Sequence, residues 1–158
     1  MNPARRAVLA SAALVLPACV AWAVQSEDSD DQALLADADY SAGREALRAG
    51  DAALALRRFE AALKRFPDAA DLHNELGFTH RKLRNMDKAF EHYRRALAIK
   101  PDHRGAHEYI GEAYLMLGDL AGAERHVAEL GRICLLPCDE LKELQQAIAA
   151  FKAGRRPS

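Results

Sequence analysis

The chain has 158 residues, half of them apolar and only 6% aromatic, with a formal charge of −1. That length suits one domain, and the absence of a basic excess excludes nucleic acid as the natural partner class. Alanine and leucine supply most of the apolar residues, which favours helix over sheet.

In chain order, the first expected element is an export signal over residues 1–23. Arg5 and Arg6 precede an apolar run from Ala7 to about Val24, and Ala21-Trp22-Ala23 forms a small-x-small cleavage site. The first acidic residue is Glu27, beyond that site. The run is short for a membrane span, which needs about 20 apolar residues, and it contains Pro17. An uncleaved N-terminal anchor remains an alternative. Leu16-Pro17-Ala18-Cys19 also outlines a lipoprotein processing site with Cys19 as the lipidated residue. Pro17 beside the cleavage point and the apolar stretch Val20–Val24 favour Cys19 as a plain residue of the signal core. The expected location is the periplasm, and residues 24–32 read as a disordered acidic leader.

From residue 33 to 137 the apolar pattern is helical, with helices expected at 33–49, 52–66, 69–83, 86–99, 103–117 and 120–133. Three segments, 36–69, 70–103 and 104–137, repeat at an offset of about 34 residues. Gly43, Gly77 and Gly111 share one register position; Ala55, Ala89 and Ala123 share a second, and Phe59, Tyr93 and Val127 a third. Small residues in register mark places where helices approach closely, while Phe59, Leu63, Tyr93 and Leu97 fill the space between hairpins. Pro67 and Pro101 stop the second helix of their units. Gly50-Asp51 and Gly118-Asp119 fit a C-terminal glycine followed by a capping aspartate, and Asn85 can still cap where Arg84 replaces the glycine. One hairpin cannot bury its own apolar face, so stacking supplies the core and the ends need caps. A helix over 138–152, with Leu141, Leu144, Ile148 and Phe151 on one face, is the expected cap. Residues 153–158 are a tail.

The chain has no glycine-rich phosphate loop, no nucleophile elbow and no His-Glu-x-x-His helix. The reading is therefore non-enzymatic, with no cofactor. His103 and His107 have a spacing that can chelate. However, His73 and His107 lie one period apart, as do His92 and His126, and His80 takes the slot of Tyr114. Such periodic positions imply packing or surface roles, so no metal site is assigned. Cys134 and Cys138 are the only cysteines once the signal is removed. Pro137 forces a turn between them, and an oxidising compartment favours a disulfide pinning the cap. The alternative is a redox or metal-handling site built on the same pair, since a cysteine near a helix start can have a depressed pKa.

The 34-residue period and its glycine, alanine and aromatic registers resemble the tetratricopeptide repeat family. The likeness is strongest in the second unit and weakens after Ala123. It implies an all-α, right-handed superhelix of three helical hairpins plus a C-terminal capping helix. It also implies a concave groove that binds a protein or peptide. Carried onto this sequence, the family's groove positions are Tyr40, Arg44 and Arg48 in the first unit. The second supplies Asp71, Asn74, Phe78, Arg81 and Lys82, and the third Glu108, Glu112 and Met116. One side would be basic and the other acidic with an aromatic between, suiting an extended or helical segment of mixed charge. An alternative role for Arg81 is pairing with Glu108 or Glu112 on the neighbouring helix, a contact of small energy at a surface. The sequence departs from the family's carboxylate clamp at Tyr40, Arg44, Glu75, Gly105 and Tyr109. The stretch Pro101–Glu112, Cys-x-x-x-Cys and Asp-Glu-Leu-Lys-Glu-Leu also resemble small exported bacterial members of the family. That likeness implies a periplasmic scaffold. Open repeat ends allow self-association as well.

Overall fold

Asp37 opens the repeat region. Its Oδ1 accepts from the amides of Asp39 and Tyr40 at 3.0 and 2.9 Å, satisfying donors that a helix start leaves free. Arg65 clamps the same carboxylate from the far end of the hairpin, with two contacts of 2.8 Å. The computed structural model describes residues 31–155. Its helices are α1 (Ala38–Arg48), α2 (Ala52–Leu63), α3 (Ala70–Lys82), α4 (Met86–Ile99), α5 (Arg104–Met116), α6 (Leu120–Ile133) and α7 (Asp139–Lys152). Residues 31–35 form a further helical stretch before α1.

Two expectations change here. The continuous helix over 33–49 is broken at Asp37, because capping α1 draws that residue into extended backbone. Residues 31 and 32, assigned to the leader, are helical, and Leu34 just beyond them is fully buried in the first core cluster. The export signal, Cys19, and residues 24–30 of the leader lie outside the described residues, as do 156–158 of the tail. Among the described residues no helix is long and apolar enough to cross a membrane.

The helices pair as hairpins α1–α2, α3–α4 and α5–α6, stacked in sequence, and α7 packs against both α5 and α6. Asp51, Asn85 and Asp119 cap the second helix of each hairpin through their side chains. The glycine register sets the closeness of each pair. A Cβ on Gly43 would stand 2.5 Å from the Phe59 ring, and one on Gly77 would stand 2.5 Å from Tyr93. The third unit has Val127 at the aromatic position, and Gly111 instead meets Leu144 of α7, again at 2.5 Å. The capping helix therefore supplies the bulk that the third hairpin lacks. Gly122 plays a similar part under Tyr114.

The turns inside the hairpins need a left-handed residue. Gly50 and Gly118 supply it at φ of 80° and 83°, whereas Arg84 adopts φ of 63° with a full side chain. An L-residue held there costs about 1–2 kcal/mol, partly offset by glycine's greater unfolded-state entropy. Arg84→Gly is therefore expected to raise stability by roughly 0.5–1 kcal/mol in urea titrations with an unchanged m-value. A neutral or destabilising result would show that the Arg84 side chain makes a compensating contact.

Candidate functional site: the face of the first helices

The first helix of each hairpin, α1, α3 or α5, contributes to one face. At its centre Arg81 of α3 is only 4% exposed. Its Nη1 donates to Glu112 Oε2 of α5 at 2.7 Å. Its guanidinium lies 5.1 Å from the Phe78 ring centroid and 5.5 Å from that of Tyr109. Those two rings pack at 5.0 Å, and Lys82 Nζ lies 5.3 Å from the Phe78 centroid. Cation–π contacts of this kind gain strength when desolvated. Beneath them the Tyr93 phenol is fully buried, which pushes its pKa up, while Arg81 opposes the shift. Among the described residues Arg81 Nε and Tyr93 Oη find no hydrogen-bond partner, so the buried ion pair rests on a single strong contact.

Toward α1, Arg44 lies 3.7 Å from Glu75 and 5.8 Å from the Tyr40 centroid. Burial pushes the Glu75 carboxyl up, with Arg44 opposing. This acid occupies a place where the carboxylate clamp needs an asparagine, so the α1 end does not present that clamp. Toward α7, Glu108 is 6% exposed. Burial first, then a hydrogen bond with Glu143 and the charges of Glu112, Glu143 and Glu140, push its carboxyl up to about 8. Asn74 sits one period earlier on α3, and its buried Oδ1 has no partner. Gly105 lets α5 approach it, since a Cβ there would stand 3.3 Å from Asn74 Nδ2.

The positions carried over from the repeat pattern therefore separate by depth. Tyr40 is a correction: at 3% exposure it belongs to the core, packed 5.9 Å from Phe59 in the same cluster as Leu34, and it does not line the face. Asn74, Arg81 and Glu108 are buried in its floor. Phe78, Arg44 and Glu112 are half-buried walls, while Lys82 and Arg48 are exposed. Arg48 pairs with Glu45 of its own helix at 2.7 Å, a solvated contact of small energy. Arg81 takes Glu112 and not Glu108. Tyr109, Glu140 and Glu143 were missed as parts of the face. Tyr109 has the aromatic type and sits next to Glu108 in sequence, whereas the two acids belong to a helix outside the repeat register.

The histidines serve the opposite layer. His103 does not join His107. Its Nδ1 accepts from the Ala106 amide at 3.1 Å as the α5 cap, so Nε2 carries the proton and donates to Asp71 Oδ1 at 2.9 Å. That contact holds the Asp71 carboxyl below its usual range. His73 Nε2 lies 2.9 Å from the Pro67 carbonyl and its Nδ1 lies 3.0 Å from His92 Nδ1. His107 repeats this with Pro101 at 3.0 Å and His126 at 3.0 Å. The carbonyl requires Nε2–H on His73 and His107, so their Nδ1 atoms accept from His92 and His126. In the first unit the equivalent pair is Asp39–Arg58, at 3.1 Å. Among the described residues no group of three or more His, Cys, Asp or Glu is arranged to hold a metal ion.

Four of these histidines make the fold acid-sensitive. Burial and the facing histidine push His92 and His126 down to about 4, with Lys88 adding to the effect on His92 and Glu91 opposing it, and Arg125 adding to the effect on His126. His73 and His80 are also lowered, mainly by burial; Arg95 adds to the effect on His73 while the Pro67 carbonyl and Asp68 oppose it, and Lys88 adds to the effect on His80 while Glu60 and Glu91 oppose it. A base with a depressed folded pKa contributes its full stability above the unfolded value near 6.5 and loses it as pH falls toward 4. Each pair is expected to cost about 1–2 kcal/mol across that window after solvent screening. Thermal melts of wild type and the His92→Gln/His126→Gln variant between pH 7 and 4 check this. A wild-type melting temperature flat over that range would contradict it.

Cys134 and Cys138 form a disulfide with Cα atoms 6.0 Å apart, joining the end of α6 to the start of α7. The loop it closes carries Leu135 and Leu136 into solvent, 95% and 79% exposed. In this form both thiols are occupied, and the pair fixes the corner from which α7 covers the third hairpin.

Sequence models of the tetratricopeptide repeat match residues 40–104 and 80–133. Comparison with curated proteins finds no match. The matched span takes in all three hairpins, the glycine–aromatic packing holds two of them together, and the face just described is formed by their first helices. The chain belongs to the tetratricopeptide repeat family.

Proposed function

We propose that the protein is an exported adaptor that holds a segment of a partner protein in the groove formed by α1, α3 and α5. Repeats of this family generally mediate protein–protein interaction. The observation that carries the reading here is the Phe78–Tyr109 pair, half-buried above Arg81 and flanked by Lys82 on one side and Glu112 on the other. A rigid aromatic step over a buried cation, rimmed by opposite charges, is the kind of anchor that interfaces use. The export signal read over residues 1–23 and the disulfide support a periplasmic location.

Selection of binding peptides from a random display library, using protein lacking residues 1–23, tests the groove. Enriched peptides should lose about tenfold or more in affinity on Phe78→Ala. Enrichment of peptides indifferent to Phe78→Ala and Lys82→Glu would sink the proposal. Location is tested by the mature N-terminus: a start at Val24 in the periplasmic fraction supports export and cleavage. A lipidated Cys19 start would place the same adaptor on a membrane, and recovery in the cytoplasm with Met1 intact would refute export.

A further inference from the structure

We infer that the α5–α7 end of the groove is a receptor for a cationic side chain, a lysine or arginine presented by the bound segment. The inference rests on the groove reading above and names the chemistry of its partner.

Two ionisable side-chain types lie in the floor of the face, and the fold treats them differently. Arg81 has its counter-ion in Glu112. Glu108, equally deep, makes no ion pair among the described residues, and the charges that act on it most are Glu112, Glu143 and Glu140, all of the same sign. Of the neighbouring acids, Glu140 lies 3.8 Å from Arg104. The second observation is independent of charge. Asn74 is 8% exposed, and its Oδ1 finds no donor among the described residues. It occupies on α3 the repeat position that Glu108 occupies on α5, and Gly105 lets the two helices come together there. A buried acceptor without a donor costs stability, as does a buried acid surrounded by acids. Both costs fall together if one group fills the place. That group must donate and carry positive charge, which describes an ammonium or guanidinium and not a hydroxyl or an anion. On the groove reading above, the bound segment supplies that group on a side chain.

Binding involves a proton. In the empty groove burial and the neighbouring acids favour the protonated form of Glu108 near neutral pH; the arriving cation stabilises its carboxylate as the anion, and the proton leaves to solvent. The groups that act on Glu108 are Glu112 from its own helix α5 and Glu140 and Glu143 from α7, with Tyr109 beside it on α5. Of these, the Tyr109 phenol is itself pushed up to about 12 by burial and by Glu108, so it stays neutral throughout. Affinity for a basic segment therefore rises as pH is raised from 6 toward 8, by up to about tenfold per unit, and then levels.

The same carboxyl also affects the empty protein. An acid whose folded pKa is raised costs stability from its unfolded value near 4.5 upward, reaching the full cost above about 8. Glu108→Gln should thus melt several degrees higher than wild type at pH 8.5 and at the same temperature at pH 4, which also shows that the variant folds.

Peptide display against wild type and Glu108→Gln in parallel, at pH 8, tests the inference. Wild type should enrich peptides with Lys or Arg at one fixed place, and Glu108→Gln should not. Replacing that residue by norleucine in an enriched peptide should then cost about 30-fold on wild type and under threefold on Glu108→Gln. Peptides that need Phe78 but show no fixed basic residue overturn this inference and leave the groove reading standing. Peptides that ignore Phe78, or no enrichment at all, overturn both. A basic residue whose contribution is the same at pH 6 and 8 and survives Glu108→Gln also overturns it, since surface attraction would then explain the preference.

Discussion

Leu144→Ala is expected to lower stability by about 3 kcal/mol, which for a domain of this size is a fall in melting temperature on the order of 10 °C. Leu144 is fully buried, and it fills the space above Gly111 that Phe59 and Tyr93 fill above Gly43 and Gly77. The alanine leaves a cavity at the junction of α5, α6 and α7, and that junction cannot collapse easily because the Cys134–Cys138 bridge fixes one end of α7. Leu136→Ala, on the exposed loop, serves as the control and should change stability by less than about 0.5 kcal/mol. Urea denaturation of the two variants checks the pair. A loss at Leu144 below about 1 kcal/mol would mean that α7 is an appendage and the third hairpin stands without it.

Arg81→Met is expected to cost about 3 kcal/mol, and Glu112→Leu at least as much, because each leaves the other charge of the groove without its partner. Glu112→Leu leaves the more deeply buried group, since Arg81 is 4% exposed. The double variant should return to within about 1 kcal/mol of wild type, giving a coupling of 2 kcal/mol or more. Additive losses would show that Arg81 contributes through its cation–π contacts with Phe78 and Tyr109 instead of through Glu112. The cycle bears on function as well. If the pair can be replaced without loss of fold, any remaining loss of peptide affinity in the double variant belongs to recognition.

The repeat architecture was legible because its period is carried by residues with one physical role each. Glycine recurs where an aromatic ring presses on the backbone, and aspartate or asparagine where a helix begins. What the period does not carry is depth. Tyr40 holds the same repeat position as Asn74 and Glu108, yet it is in the core, in one cluster with Leu34 from the helical stretch 31–35. The break at Asp37 is of the same kind, since it depends on Arg65, 28 residues away. The capping helix lies outside the register, so neither Leu144 over Gly111 nor Glu143 beside Glu108 could be read from the 34-residue offset. The histidine pairs had a readable signal. His73–His92 and His107–His126 share a separation of 19 residues, as does Asp39–Arg58 in the first unit, and an ion pair at one copy of a position argues for contact at the others.

The central claim, that the face of α1, α3 and α5 holds a partner segment, is tested most directly by mapping amide chemical shifts of the mature protein as an enriched peptide is added. The account predicts the largest changes at Phe78, Arg81, Glu108, Tyr109 and Glu112, with α2, α4 and α6 largely silent. Changes centred instead on His92 and His126, or on Leu135 and Leu136 in the disulfide loop, would contradict it and move the site to another surface.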